Sequence, residues 1–340
     1  MYAFRNDYSE GAHPRILEYL TKYNMEANIG YGEDVHSDRA KELIKKLINK
    51  DNADIHFIPM GTQTNLIAIS SFLRPHQCVI SADTGHIALH ETGAIEATGH
   101  KVVTVATSDG KLTPVHIKEV VDFHTDEHMV KPKMVYISNS TELGTIYTKE
   151  ELTSISKTCK EYNLLLFLDG ARLGSALTCK SNDMDIKDIA NLVDVFYIGG
   201  TKNGALFGEA LIILKEELKD DMRFLIKQRG AMMAKGFLLG IQFEALFEDN
   251  LFFELAEHAN KMAERLAEII EKYNYEFYAK PCTNQVFPIF PDVLLEKLST
   301  QFIYEFIEKV DIYNSAIRFV TSWATTKESV EALDEFFKNI

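Results

Sequence analysis

Four polar side chains stand out because each follows closely on a short apolar run. His86 lies in Ala82-Asp83-Thr84-Gly85-His86, after the run at 78–81. Asp169 and Arg172 lie in Asp169-Gly170-Ala171-Arg172, after 164–168. Lys202 lies in Gly199-Gly200-Thr201-Lys202-Asn203, after 193–198. The set is an imidazole, a carboxylate, a guanidinium and an amine. A lysine at the end of a buried apolar strand is costly unless it is paired or neutral. Burial lowers its pKa, and a neutral amine is the form that attacks a carbonyl. A further segment, Pro59-Met60-Gly61-Thr62-Gln63-Thr64-Asn65, follows the run at 53–58 and opens a helix. Gly61 lets a backbone approach closely, and the free N–H groups of Thr62 and Gln63 suit a phosphate. Neither G-x-G-x-x-G nor G-K-[S/T] is present, so dinucleotide and P-loop readings are weak. Singly, each residue has a bland explanation: Asp169 as a helix cap, His86 as a satisfied histidine, Lys202 as a snorkelling lysine. Packing alone does not call for all four charged or polar groups at strand ends.

Those residues need a sheet to bring them together. Short apolar runs alternate with longer amphipathic stretches. Strands are expected over 53–58, 78–81, 102–106, 134–138, 164–168, 193–198 and 210–214. Helices are expected over 62–73, 87–98, 114–123 and 149–162. Thr113 and Pro114 supply a helix start signal. Strands about 30 residues apart with helices between them predict a mostly parallel sheet covered on both faces. Ligands of such sheets bind outside the carboxyl ends of the strands, where the residues above fall. After residue 220 the pattern changes. Helical sequence is expected over 222–248 and 250–273, then strands over 276–278, 285–290, 301–306 and 316–321, and a helix over 327–338. The fold class is therefore α/β. The expected organisation is a large domain, 1–248, with an N-terminal arm (1–14), and a smaller α+β domain, 249–340. The loop 124–132 carries His124 and His128 and no other sign of structure.

Composition bounds the rest. A chain of 340 residues fits one large and one small domain at roughly 150 residues per domain. The net charge of −14 disfavours nucleic-acid backbones and anionic membrane surfaces as partners. No apolar run approaches the about 20 residues of a membrane span. The start MYAFRNDYSE has no basic segment followed by an apolar one, unlike a signal peptide. Cys78, Cys159, Cys179 and Cys282 form no C-x-x-C pair and read as reduced thiols. A cytoplasmic protein is expected.

One cofactor asks for this set of groups. Pyridoxal 5'-phosphate needs a lysine for its Schiff base, a carboxylate at its pyridine nitrogen, a ring-stacking partner and a phosphate cup. At this point the sequence resembles the threonine aldolase and β-eliminating lyase family of pyridoxal-phosphate enzymes, with the aspartate-aminotransferase-like fold. The resemblance is carried by "YGED" (31–34), "GTQTN" (61–65), "ADTGHIALHETG" (82–93), "TELGT" (141–145), "DGARL" (169–173) and "GGTKNG" (199–204), in that order. It implies that Lys202 forms the Schiff base and Asp169 pairs with the ring nitrogen. It implies that His86 stacks on the ring, and that Gly61, Thr62 and Gln63, with Thr201, hold the cofactor. Arg172 is placed near the cofactor oxygen and the substrate carboxylate, and Arg318 matches a carboxylate-binding arginine. Tyr31 lies in a segment that in the family reaches a neighbouring subunit's site, in homodimers usually paired into tetramers.

Two departures from the family pattern bear on chemistry. A Ser-Asp pair is replaced by Asn6-Asp7, where Asn6 can still donate to a carboxylate. A histidine near the substrate hydroxyl is replaced by Glu142, which could accept the hydroxyl proton if burial raised its pKa. The resemblance implies cleavage of threonine, allo-threonine or another β-hydroxy-α-amino acid to glycine and an aldehyde. β-Elimination or transamination at the same site, and a non-catalytic binding member, are the competing readings. The spacing His86-x-x-x-His90 suits a metal but lacks further ligands, so no metal is expected.

Overall fold

The computed structural model describes all 340 residues. A two-residue strand, β1 (Tyr2–Ala3), opens the chain. Seven strands then build the main sheet: β2 (Asp54–Ile58), β3 (Gln77–Ala82), β4 (Lys101–Val105), β5 (Lys131–Ser138), β6 (Leu165–Asp169), β7 (Val195–Gly199) and β8 (Glu209–Ile213). Their order is β2-β8-β7-β6-β5-β3-β4. The ladders joining β7, β6, β5, β3 and β4 are parallel, whereas β8 runs antiparallel to both β7 and β2.

Strand alternation divides the core. Val135, Ile137, Leu166, Leu168, Phe196 and Ile198 pack on one face, with helix Lys149–Glu161. Met134, Tyr136, Leu165, Phe167, Val195 and Tyr197 pack on the other, with Ile67, Ala68 and Ile69 of helix Gly61–Phe72. Both faces are buried, which is why these strands read as continuous apolar runs rather than alternating ones.

The C-terminal part holds β9 (Phe277–Ala279), β10 (Gln285–Pro291), β11 (Phe302–Ile303), β12 (Glu305–Lys309) and β13 (Asn314–Val320). Four of these form an antiparallel sheet, β12-β13-β10-β9. β11 instead pairs in parallel with β1, and Phe4 then packs among Phe302, Phe319 and Phe290. Helix Leu251–Lys272 spans the two cores: Leu251, Phe252 and Leu255 belong to the large one, Ala263, Leu266 and Ile270 to the small one. No helix is long and apolar enough to cross a membrane.

The α/β architecture agrees with the sequence reading, and three elements differ from it. The helix expected over 87–98 is only His86–Leu89, followed by a short 3-10 turn at Glu96–Thr98. Thr92 and Gly93 take left-handed φ there, and the buried Glu91 carboxylate bonds to neighbours outside the segment. The helical stretch over 222–248 is two helices, Met222–Gln228 and Phe237–Phe247. The strand over 301–306 splits at Tyr304, because its halves pair with different partners. The sequence reading places no helix at Pro14–Tyr23, Val35–Ile48, Leu173–Thr178, Ile186–Leu192 or Asp292–Leu298, where the structure has one.

Candidate active site

The carboxyl ends of β3, β5, β6 and β7 converge on a cleft closed from the other side by β10, β12 and β13. It holds a cavity of about 600 Å³ lined by Asn6, His86, Glu142, Arg172, Lys202 and Arg318, among others.

Lys202 is placed by a hairpin. β7 and β8 are antiparallel neighbours, and the turn between them is closed by Gly200 N–H to Gly208 O (3.0 Å) and Thr201 N–H to Gly208 O (3.2 Å). The Thr201 hydroxyl accepts from Gly208 N–H at 3.0 Å. Gly208 sits at φ +119°, where any side chain is strained. Burial, and next the Arg172 charge, push the Lys202 amine below the ordinary lysine range. Lys202 lines the cavity.

Asp169, the last residue of β6, is buried with four donors on it. Oδ1 accepts from Tyr197 Oη (2.6 Å) and Ala171 N–H (2.9 Å). Oδ2 accepts from Asn65 Nδ2 (3.1 Å) and from Tyr136 Oη. Burial pushes both phenols well above their usual pKa, with the Asp169 charge adding to it, so both act as donors. Asp169 does not itself line the cavity. Asn65 Nδ2 also donates to Glu91 Oε1 (2.7 Å), and Glu91 Oε1 is 2.7 Å from His86 Nδ1. One chain of polar contacts thus runs from Asp169 to the imidazole on the cavity wall.

Glu142 is held from the next strand over. Its Oε1 accepts from His86 N–H (2.9 Å) and Ser138 Oγ (2.7 Å). Burial raises its pKa, and the Asp169 charge adds to the effect. His128 is far from it: it is exposed ahead of β5, while the cavity lies at the far end of that strand. Seven residue steps at about 3.3 Å separate the two ends by roughly 20 Å.

The two arginines differ. Arg172 makes a bidentate pair with Asp7, Nε to Oδ2 at 2.7 Å and Nη2 to Oδ1 at 3.0 Å. Asn284 Nδ2 donates to the same Asp7 Oδ2 at 3.0 Å. Burial alone would raise the Asp7 pKa, but the charges of Arg172 and Lys202 and these bonds hold it below the usual range. Arg318 on β13 has one long contact, Nη1 to Gln285 Oε1 at 3.4 Å, and its buried Nε has no partner. Burial, then the Arg172 charge, lowers its pKa. Asn6, which lines the cavity, accepts at Oδ1 from Tyr8 N–H and Ser9 Oγ, so these bonds leave its amide N–H₂ unused.

Gly61, Thr62, Gln63 and Thr201 are not on the cavity wall. Helix Gly61–Phe72 starts without a side-chain cap, so its first N–H groups are free. A Cβ on Gly61 would meet only Tyr197 Oη, at 3.6 Å, which places this turn beside Asp169. Gln63 Nε2 donates to Arg229 O at 3.0 Å, while its buried Oε1 is unpartnered. Tyr31 stands apart: it is 45% exposed and lies under Lys227 Nζ at 4.6 Å, beside a different pocket that includes Arg223 and Met232.

Sequence reasoning missed Asp7, Asn65, Glu91, Tyr136, Tyr197 and Gln285. Tyr136 and Tyr197 look like core aromatics, and only pairing of β5 and β7 with β6 turns both hydroxyls onto Asp169. Asn65 carried a faint signal, a polar residue on the apolar side of its helix.

Residues 4–292 match the family model described as beta-eliminating lyase, and the chain belongs to that family. Enzymes of this family and fold use pyridoxal phosphate. A solved structure of Leishmania major threonine aldolase superposes with a TM-score of 0.99 at 52% identity, covering 100% of this chain and 99% of that one. A low specificity L-threonine aldolase of a Pseudomonas species is 33% identical, over 97% of this chain and 95% of its own length. Thermus thermophilus aspartate aminotransferase shares the fold, with a TM-score of 0.74 at 14% identity and coverage of 100% and 91%.

Proposed function

We propose that this protein is a pyridoxal-phosphate-dependent lyase that cleaves threonine, allo-threonine or a related β-hydroxy-α-amino acid to glycine and an aldehyde. The observation that carries the reading is the pairing of Lys202, an amine pushed toward its neutral form, with a carboxylate held by four donors at the adjacent strand end. The named relatives add the carbon–carbon cleavage.

The residues present suit the cofactor. Lys202 Nζ would hold it covalently, since the neutral amine is the nucleophile. Asp169 would hold a proton at the ring nitrogen. The His86 imidazole, braced by Glu91, would lie against the ring. The uncapped N–H groups at Gly61, Thr62 and Gln63, with the Thr201 hydroxyl, would take the phosphate. A Cβ on Gly61 would meet nothing nearer than Tyr197 Oη at 3.6 Å, so the turn is not crowded. When bound, the ring supplies a sink for the electrons of the Cα–Cβ bond.

This chain's own residues do the rest. Arg318, whose Nε lacks a partner, would bind the substrate carboxylate, with Asn6 and the remaining Arg172 N–H beside it. Fixing that carboxylate orients the bond to be broken. Glu142, its pKa raised by burial, would take the proton from the substrate's β-hydroxyl. Residues 1–248 would serve as the cofactor-binding unit, and 249–340 as a smaller unit that brings Arg318.

The same reading includes a cytoplasmic homodimer or homotetramer with shared sites. Exposed Tyr31, outside this chain's own cavity, supports a role in a partner's site. A dilution series followed by light scattering and turnover tests it, and an active monomer would overturn it. The deciding experiment for the activity is a substrate panel read in parallel for glycine plus aldehyde, ammonia plus keto acid, and amino-group exchange. Glycine and aldehyde are expected. A dominant keto-acid or exchange product would replace the aldolase reading with elimination or transamination.

A further inference from the structure

Two cysteines from distant parts of the chain meet outside the cleft. Cys179 is the C-cap of helix Leu173–Thr178, whose N-cap is Arg172. Cys282 lies in the connection between β9 and β10, shortly before Asn284 and Gln285. Their sulfurs are 3.8 Å apart, and Cys282 Sγ is 2.9 Å from Ser181 Oγ. Cys179 is buried; Cys282 is partly exposed and lines an open pocket of about 560 Å³ with Lys180, Ser181 and Lys280. The other two thiols, Cys78 and Cys159, are buried apart, and burial pushes them up to about 11 and about 12. The proposed reaction uses none of the four.

We propose that Cys179 and Cys282 are an oxidation site that forms a reversible disulfide and thereby loosens the grip of the cleft on the substrate carboxylate. A disulfide needs its sulfurs at about 2.05 Å, so closure from 3.8 Å asks for a shift within reach of one loop. The oxidant class is a hydroperoxide. The Cys282 thiolate attacks the O–O bond and becomes a sulfenic acid, and the leaving oxygen departs as hydroxide or alkoxide. The Cys179 sulfur then attacks the Cys282 sulfur; the S–O bond breaks and water leaves with the thiol proton. Two electrons pass from the thiols to the peroxide, and a dithiol reverses the bond by exchange.

Cys282 is the attacking partner on several grounds. It is the accessible one. The contact with the Cys179 sulfur, the Ser181 hydroxyl and the charges of Lys280 and Lys111 hold its thiol below the ordinary range, while the same contact and burial push Cys179 up. Disulfides of reducing compartments are typically transient and sensing ones.

The loop that must move also holds the carboxylate subsite. Thr283 Oγ1 donates to Gly144 O at 3.0 Å. Asn284 Nδ2 braces Asp7, the partner of Arg172, and Gln285 Oε1 is the one contact of Arg318. Drawing Cys282 toward Cys179 pulls on all three.

The test treats the reduced holoenzyme with hydrogen peroxide, blocks free thiols and maps the unreduced digest by mass spectrometry. A Cys179–Cys282 cross-linked peptide is expected, reversed by dithiothreitol, with KM for threonine raised about fivefold, the low end of coupling between sites. Cys282→Ser should abolish both changes. Cys179→Ala should leave Cys282 open to a sulfenic-acid trap such as dimedone. Full alkylation of both thiols after peroxide, or a cross-link that leaves KM unchanged, would overturn the proposal. The map is read on wild-type protein and needs no turnover, so its failure is distinct from failure of the aldolase reading on which the KM arm rests.

Discussion

Asp169 is buried and Arg318 half-buried with a buried Nε, yet they are provided for in opposite ways. Asp169 meets four donors supplied by β5, β7, a helix and its own turn. Arg318 has a single contact at 3.4 Å and an unpartnered Nε. Arg172, close by, has its bidentate carboxylate in Asp7. An unpaired buried charge costs several kcal/mol, so a chain keeps one only where something else gains by it. On the proposed function, the difference would separate groups that hold the site's shape from a group open to an anion, and it would put the weight of carboxylate binding on Arg318 rather than Arg172.

Lys202 is the sharpest test of the saturated side. Lys202→Ala should abolish both turnover and the cofactor's visible absorption in purified protein. Borohydride reduction and peptide mapping that labelled another lysine would break the pairing with Asp169. Asp169→Asn should keep bound cofactor but lose about 10²–10³ in turnover, the scale of one lost electrostatic contact at a reacting centre. Near-normal turnover would remove Asp169 from that role.

The arginines then test the comparison directly. Arg318→Gln should raise KM about 10–100-fold, as for a lost charge-assisted hydrogen bond, with little change in thermal stability. Arg172→Gln should instead destabilise by about 3–5 kcal/mol, because Asp7 is left buried without its partner. Reversed results, read from kinetics and melting curves, would return substrate binding to Arg172. Glu142→Gln keeps an acceptor for His86 N–H and Ser138 but removes the proposed base; turnover should fall at least about tenfold. Intact turnover would move the base elsewhere in the cavity, with His90 the next candidate.

The smallest effect concerns Glu209, where burial lifts the carboxyl to about 8. Its folded pKa lies above the unfolded value, so the folded state binds the extra proton. Stability from this group is full below about pH 4.5 and is lost as pH rises toward 8. Glu209→Gln should flatten that decline in melting temperature between about pH 5 and pH 8. An unchanged slope would assign the decline to other groups.

Much of this was legible in the chain. The seven main strands, the strand-end positions of His86, Asp169 and Lys202, and the helix at Gly61 follow from local apolar runs and turn residues. The broken helix after His86 was not legible, because its periodicity looks intact while Glu91 is held by Asn65, well outside the segment. Likewise residues 301–306 form an acceptable strand pattern; only β1 and β13, competing for its two halves, divide it.

The sequence by itself determined which residues reach the carboxyl edge of the sheet, because period, run length and glycine-rich turns are properties of neighbouring residues. The tertiary structure alone decided who partners whom. Asp7 finds Arg172 across 165 positions and Asn284 finds Asp7 across 277. No local propensity encodes such pairs; they exist only once both cores have closed around the helix Leu251–Lys272 and brought β10 and β13 over the cleft. That closure fixes which buried charge is neutralised and which is left open.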